Sequence, residues 1–292
     1  MEYRLYKGNV YRPPSEWDSI IIQSTIGCSH NGCTFCSMYK DKKFCIKPVE
    51  KVKEDIEYAY RIYGNRRKVF LADGDALIRK TEEQLELFEF IHSTIPGCER
   101  ISLYGSPVSI LGKSQSDLIK LKNHGLHMVY LGVESGNDEV LIKINKGATA
   151  EEILEAGRKI KDAGIKLSVT AIIGLGGHGG FIEHGRDTSK LLSRMKPDYI
   201  GLLTLMLEEG TVLNEQYKRG QFQLCNKKDI LEEIKIFLTD IDSQGSIFRA
   251  NHASNYLDLR GTLNEDREKL LLTVNKALEG EIHLKSEFYR GL

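Results

Sequence analysis

Six short apolar segments alternate along this chain with segments of helical spacing, and that alternation narrows the folds open to it. The strand candidates are Ser19–Thr25, Lys68–Ala72, Arg100–Tyr104, Met128–Leu131, Lys166–Ile173 and Tyr199–Met206, each bounded by Gly, Asp or Ser. The helix candidates between them are Val49–Tyr63, Glu82–Ile95, Ser114–Asn123, Ala150–Ala163 and Glu183–Met195. In Glu82–Ile95, Leu85, Phe88, Ile91 and Ile95 recur at spacings of three and four and make one apolar face. Such alternation predicts a parallel sheet with right-handed crossovers. Six β/α units are fewer than the eight that close a full barrel, so the expected fold is α/β, a partial (β/α)6 TIM-like barrel.

The alternation ends near Met206. Beyond it the sequence predicts a loop, helices over Val212–Arg219 and Asn226–Asp242, a strand-like "SIFRA" and a last helix over Asn264–Glu279. The expected organisation is an N-terminal segment (1–18), a core (19–210) and a C-terminal α-rich extension packed on the core (211–292). With 292 residues the chain is long enough for one large core. Lys+Arg and Asp+Glu both number 41, so the formal net charge is zero. Nothing in that balance points to nucleic acid or a membrane surface. No run approaches 18 consecutive apolar residues and no signal peptide is read at the N-terminus, so a cytoplasmic protein is expected.

Directly after the first strand candidate comes "GCSHNGCTFCSMY", with the spacing Cys28-x4-Cys33-x2-Cys36. Three close thiols in a chain that does not resemble a disulfide framework point to a soft metal. Structural zinc usually takes four protein ligands, and Cys45 or His30 would complete such a set; a loop that holds no metal is a further reading. A four-iron four-sulfur (4Fe-4S) cluster bound by only three cysteines keeps one iron open to a ligand that is not protein. Ligands of parallel α/β folds bind at the carboxyl ends of strands, where this loop sits.

The loop and three further segments, in order, resemble the radical S-adenosylmethionine (radical SAM) superfamily, in the branch containing Elp3-like, methylthiotransferase-like and oxygen-independent coproporphyrinogen oxidase-like proteins. The superfamily's commonest spacing is C-x3-C-x2-C, and the first gap here is one residue longer. The resemblance implies a 4Fe-4S cluster on Cys28, Cys33 and Cys36, with SAM on the open iron and Phe35 against its adenine. "LADGDAL" resembles the Gly-Gly-Glu motif that holds the methionyl amine, with Gly74 and Asp75 fitting and Asp73 replacing the first glycine. "YLGVESGNDEVLIKINKG" supplies Glu134 and Ser135 as SAM contacts and Lys146 near its carboxylate. "SVTAIIGLGG" resembles the strand whose Gly-rich exit, here Gly174, passes the adenine and ribose, with Thr170 at a polar contact position. Where some relatives carry a ribose-binding acid, this chain has Ser102 and Tyr104. The resemblance spans roughly Ser19 to Met206.

The implied reaction is reductive cleavage of SAM to a 5′-deoxyadenosyl radical that abstracts hydrogen from a substrate. The expected partners are a small-molecule or metabolite substrate and an electron donor such as flavodoxin or ferredoxin, with no membrane and no clear nucleic acid. The polar run "RANHASNY" (Arg249–Tyr256) is a candidate substrate segment, with His252 and Tyr104 as candidate catalytic residues and His178 a further candidate for the same cavity. The other reading is an ordinary polar turn. Cys98 and Cys225 stand alone, so a second cluster is not expected. Neither a cobalamin-binding domain nor an acetyltransferase or RNA-binding module is read in the chain. The alternative to an enzyme is a zinc-stabilised scaffold on the same barrel.

Overall fold

Runs rich in isoleucine, valine and leucine supply the strands, and the periodic segments between them supply the helices. The computed structural model describes residues 5–291. In chain order its main elements are β1 (Ile20–Gln23), α1 (Val49–Tyr63), β2 (Lys68–Ala72), α2 (Thr81–Thr94), β3 (Arg100–Gly105), α3 (Pro107–Leu111), α4 (Gln115–Asn123), β4 (Leu126–Glu134), α5 (Asp138–Lys143), α6 (Ala150–Asp162), β5 (Lys166–Ile173), α7 (Phe181–Met195), β6 (Tyr199–Thr204), α8 (Val212–Lys218), α9 (Lys227–Asp240), β7 (Ile247–Ala250), β8 (Leu259–Thr262) and α10 (Arg267–Leu278). The expected strand–helix alternation is present throughout. The short helices α3 and α5 and the strand β8 are additions to it. Among the described residues no helix is long and apolar enough to cross a membrane.

The chain divides into two compact units. The first takes in residues 5–31, 38–131 and 158–167. Here β1 to β4 pair in parallel, with Ile22 beside Leu71, Leu71 beside Leu103 and Leu103 beside Val129. All four side chains are fully buried. Successive side chains point to opposite faces of a sheet. The other face therefore carries Ile21, Phe70, Ser102 and Met128, then Tyr104 beside Tyr130. The rings of Phe70, Tyr104 and Tyr130 meet edge to face at centroid separations of 5.1 to 6.0 Å. Helix α2 buries Gln84, Leu87, Phe88 and Ile91, with Ile95 just beyond its end. Leu85, expected on that face, is only half-buried. The buried stripe is turned toward Gln84 because its amide donates to the carbonyl of Ala76 at 3.0 Å, which satisfies a buried polar group.

The segment before β1 is tied to the sheet by one buried carboxylate. Glu16 accepts from Arg100 at 2.7 Å, from the Tyr130 hydroxyl at 2.6 Å and from Ser19. Burial, with the Glu16 charge beside it, pushes the Tyr130 phenol up, so it stays a donor. Replacing Glu16 by alanine takes the acceptor from three donors and is expected to destabilise the protein by about 2 kcal/mol. Denaturant unfolding measures this, and a change under about 0.5 kcal/mol contradicts the assigned role.

The second unit takes in residues 32–37, 132–157 and 168–291. Strands β5, β6 and β7 run parallel, and β8 returns antiparallel to β7. Val169, Ala171 and Ile173 are buried, and the alternate residues Ser168, Thr170 and Ile172 are half-buried. Thr170 stands beside Gly201, which stands beside Arg249. Helix α7 packs on α9, and α9 on α10.

Candidate functional site

The cysteine loop begins where the chain leaves β1. Thr25–Ile26 pairs antiparallel with Cys45–Ile46, which closes the loop at its base. Cys28, Cys33 and Cys36 are partly exposed, and Cys45 is exposed. The middle of the loop is held by its backbone. Thr34 donates its N–H to the carbonyl of Ile144 and accepts from the N–H of Leu213, both at 2.9 Å. Asn145 donates to the carbonyl of Gly32 at 3.0 Å. These anchors act through backbone groups of Thr34 and Gly32. Among the described residues no three His, Cys, Asp or Glu side chains are already gathered as a metal-holding group. The loop's donors, three accessible thiols on a fixed backbone, are soft and suit iron or zinc. His30 is exposed and Phe35 half-buried.

The exit of β2 presses on the start of this loop. A Cβ on Gly74 would lie 2.8 Å from the Tyr39 ring and 3.0 Å from Cβ of Cys28, so only glycine fits. Its N–H donates to the carbonyl of Gly27 at 3.1 Å. Asp73 is fully buried. One of its carboxylate oxygens accepts from Gln23 at 2.7 Å, from the N–H of Gly27 at 3.0 Å and from Lys42 at 3.0 Å. Asp75 is equally buried, and both its oxygens are taken up by serines. It accepts from Ser29 at 2.5 Å, from the Ser106 hydroxyl at 2.8 Å and N–H at 3.0 Å, and from Ser109 at 2.6 Å. Ser106 is also the N-cap of α3. The Asp75 carboxylate thus ties the loop to the N-terminal end of α3. On β3 the hydroxyl of Ser102 is buried without a hydrogen-bond partner. Burial pushes the Tyr104 phenol up, helped by repulsion from Glu16 and Asp73, so it remains protonated.

In the second unit β4 ends on Glu134, whose φ of 63° turns the chain sharply. Lys146 donates to Glu134 at 2.9 Å, and both side chains are nearly buried. A Cβ on Gly132 would come within 2.2 Å of the Glu134 carboxylate. Ser135 is buried and accepts from the N–H of Asn137 at 3.0 Å. Gly136 donates to the Thr188 hydroxyl at 3.0 Å. At the exit of β5, Gly174 has φ of 92°, a conformation that favours glycine. Its N–H donates at 3.0 Å to Glu233 of α9, a buried carboxylate also bonded to the buried ring of His184. His178 is exposed and bonds Asp229 at 2.7 Å, while that same carboxylate accepts from the N–H of Asn226 to close the capping box of α9. Cys225 is buried, and burial pushes its thiol up, with Glu233 and Asp229 adding to the effect. Glu233 was not legible as a site residue, because its partners lie 59 and 49 residues away in sequence.

The segment 249–256 packs at the end of β6. Asn255 is buried and uses both ends of its amide: it accepts from Thr204 and donates to the carbonyl of Leu202, both at 2.8 Å. His252 is half-buried and bonded to Ser254 at 3.0 Å. Burial, with Lys285 adding repulsion, lowers its pKa, so the ring is neutral at pH 7. Asn255→Ala is expected to lower stability by about 2 kcal/mol, since it leaves a buried hydroxyl and carbonyl unpaired. An unfolding midpoint equal to that of the parent protein would contradict that role.

Comparison with known proteins follows the same lines. The family model described as the Radical SAM superfamily matches residues 22–189. The chain is 24% identical over 231 residues to an uncharacterized protein of Methanocaldococcus jannaschii, covering 75% of this chain and 70% of that one. It is 27% identical over 164 residues to a tRNA uridine(34) acetyltransferase of Methanocaldococcus infernus, covering 55% of this chain but 30% of the relative. Among solved structures, methylornithine synthase is similar with a TM-score of 0.56 at 17% identity, covering 92% of this chain and 74% of the other. That likeness extends the mostly parallel α/β architecture of a partial TIM barrel over nearly the whole chain.

Proposed function

The chain belongs to the radical SAM superfamily and is a radical SAM enzyme, and from that premise we propose that Cys28, Cys33 and Cys36 hold a 4Fe-4S cluster whose open iron takes SAM. The observation that carries this reading is the cysteine loop itself: three partly exposed thiols on a backbone fixed at its entry by Gly27 and in its middle by Thr34. Bound there, cluster and SAM supply one-electron cleavage of the sulfonium, the source of a 5′-deoxyadenosyl radical that abstracts hydrogen from a substrate. The protein's own residues orient and enclose. Gly74 lets the β2 exit approach the loop closely. Phe35, Asp75, Ser102, Glu134, Ser135, Lys146, Thr170 and Gly174 are assigned to SAM. For Asp75 the assignment concerns its backbone, since its carboxylate is occupied by serines. Tyr104, a protonated phenol, and His252, a neutral ring, are assigned to the substrate side.

Residues 19–210 are assigned as the catalytic core and 211–292 as an extension that completes it. A reducing cytoplasmic setting keeps the thiols available to iron, and a flavodoxin- or ferredoxin-type donor supplies the electron. The decisive experiment is anaerobic purification followed by incubation with SAM and dithionite. The expected result is brown protein with about four irons and release of 5′-deoxyadenosine. A small-molecule fraction and an RNA fraction of cell extract, added separately, identify the substrate class by which one stimulates that release; stimulation by the small-molecule fraction is expected. Colourless protein holding one zinc, with no 5′-deoxyadenosine, would establish the zinc scaffold instead.

A further inference from the structure

Asp73 stands where the family's motif has a glycine, and it does what a glycine cannot. The same carboxylate oxygen joins three separate stretches of chain: Gln23 at the end of β1, the N–H of Gly27 at the loop's entry and Lys42 on its return. Lys42 is itself buried, its side chain 2% exposed, and it reaches past Asp73 to the carbonyl of Asn9. A buried lysine needs a counter-charge, and Asp73 supplies it. The residue after Asp73 is Gly74, which lies against Cβ of Cys28. Fixing Asp73 therefore fixes the surface on which the first cysteine rests.

We propose that Asp73 is a positioning residue, whose buried ion pair with Lys42 clamps the entry and return of the cysteine loop together and sets the placement of Cys28 before any metal binds. The inference rests on the assignment of this loop as the cluster holder. A preorganised loop loses less conformational freedom when its ligands close on a cluster.

The test uses the full chain and two variants, Asp73→Asn and Asp73→Asn/Lys42→Met. The second removes both charges, so no lone ammonium stays buried. In metal-free protein, Asp73→Asn is expected to speed amide exchange across residues 27–44 at least about tenfold while β5 exchanges as before. After anaerobic reconstitution with iron and sulfide, the reduced cluster's electron paramagnetic resonance spectrum is expected to contain more than one species, against one in the parent. The double variant is expected to regain the parent's unfolding midpoint but neither its slow loop exchange nor its single spectrum. A purely stabilising ion pair would recover all three. Exchange across residues 27–44 within about twofold of the parent in either folded variant overturns the proposal. If Asp73→Asn does not fold, the double variant alone decides. If the parent takes up no iron, the cluster assignment falls, and the metal-free exchange comparison still decides whether Asp73 clamps the loop.

Discussion

Replacing Cys33 by serine is expected to give a folded, colourless protein that makes no 5′-deoxyadenosine. Serine keeps the shape of cysteine but not the soft thiolate that iron–sulfur clusters require. Loss of a direct ligand should reduce activity by more than the 10- to 100-fold typical of outer-shell changes, so a drop of about 100-fold or more is the expected floor. The fold should survive because the loop is anchored through Thr34 and Gly32 by backbone groups, and none of these bonds involves the cysteine side chain. Cys28→Ser and Cys36→Ser should behave alike. Cys45→Ala is the contrasting case: its side chain is exposed, and its backbone pairing with Ile26 does not depend on the thiol. Iron content and 5′-deoxyadenosine release, measured together, check the set. If Cys45→Ala removes the metal as fully as Cys33→Ser, a fourth cysteine ligand exists and the open-iron reading fails.

Gly136→Ala is expected to produce the largest loss of stability of any single methyl addition discussed here. The new Cβ would lie 2.3 Å from the carbonyl oxygen of Asp187, 2.6 Å from its carbon and 2.7 Å from Cα of Thr188. These are backbone atoms of α7, which cannot swing aside as a side chain can. The turn would have to move away, and the bonds from Gly136 to Thr188 and from Asn137 to Asp187 would break with it. Overpacking of this kind costs about 3 kcal/mol, which corresponds to a fall in Tm of about 5 °C for a chain of this size. Because Glu134 and Ser135 sit in the same turn, SAM affinity should fall with it. Gly179→Ala is the control: no atom lies within 4 Å of its Cβ position, and the expected change is within about 0.5 kcal/mol. Equal midpoints for the two variants would contradict the packing described.

The elements readable in the sequence are those whose burial follows a period. Val169, Ala171 and Ile173 alternate with less buried neighbours as a strand requires. Helix α3 and helix α5, with 5 and 6 residues, are too short to show a helical period. Strand β8, "LRGT", has no apolar run at all. Within the candidate site, residue types were legible but their partners were not. "DGDA" offers two acids, and nothing local says that Asp73 meets a lysine 31 residues earlier while Asp75 meets three serines. Likewise the polar groups of Asn255 suggested substrate contact, yet they satisfy the end of β6. Long-range satisfaction of buried polar groups leaves no mark in sequence spacing.

The two hydrogen bonds of Thr34 bear on how such a chain can diversify. One joins the cysteine loop to the turn after α5 and the other to the first turn of α8, between β6 and β7. A grafted or shuffled tail that removed Leu213 would therefore strip an acceptor bond from the loop that carries the cysteines. Through this bond the first turn of α8 and the cysteine loop share an anchor. Any residue but proline supplies that amide, so position 213 constrains the backbone path of the tail and not its side chain.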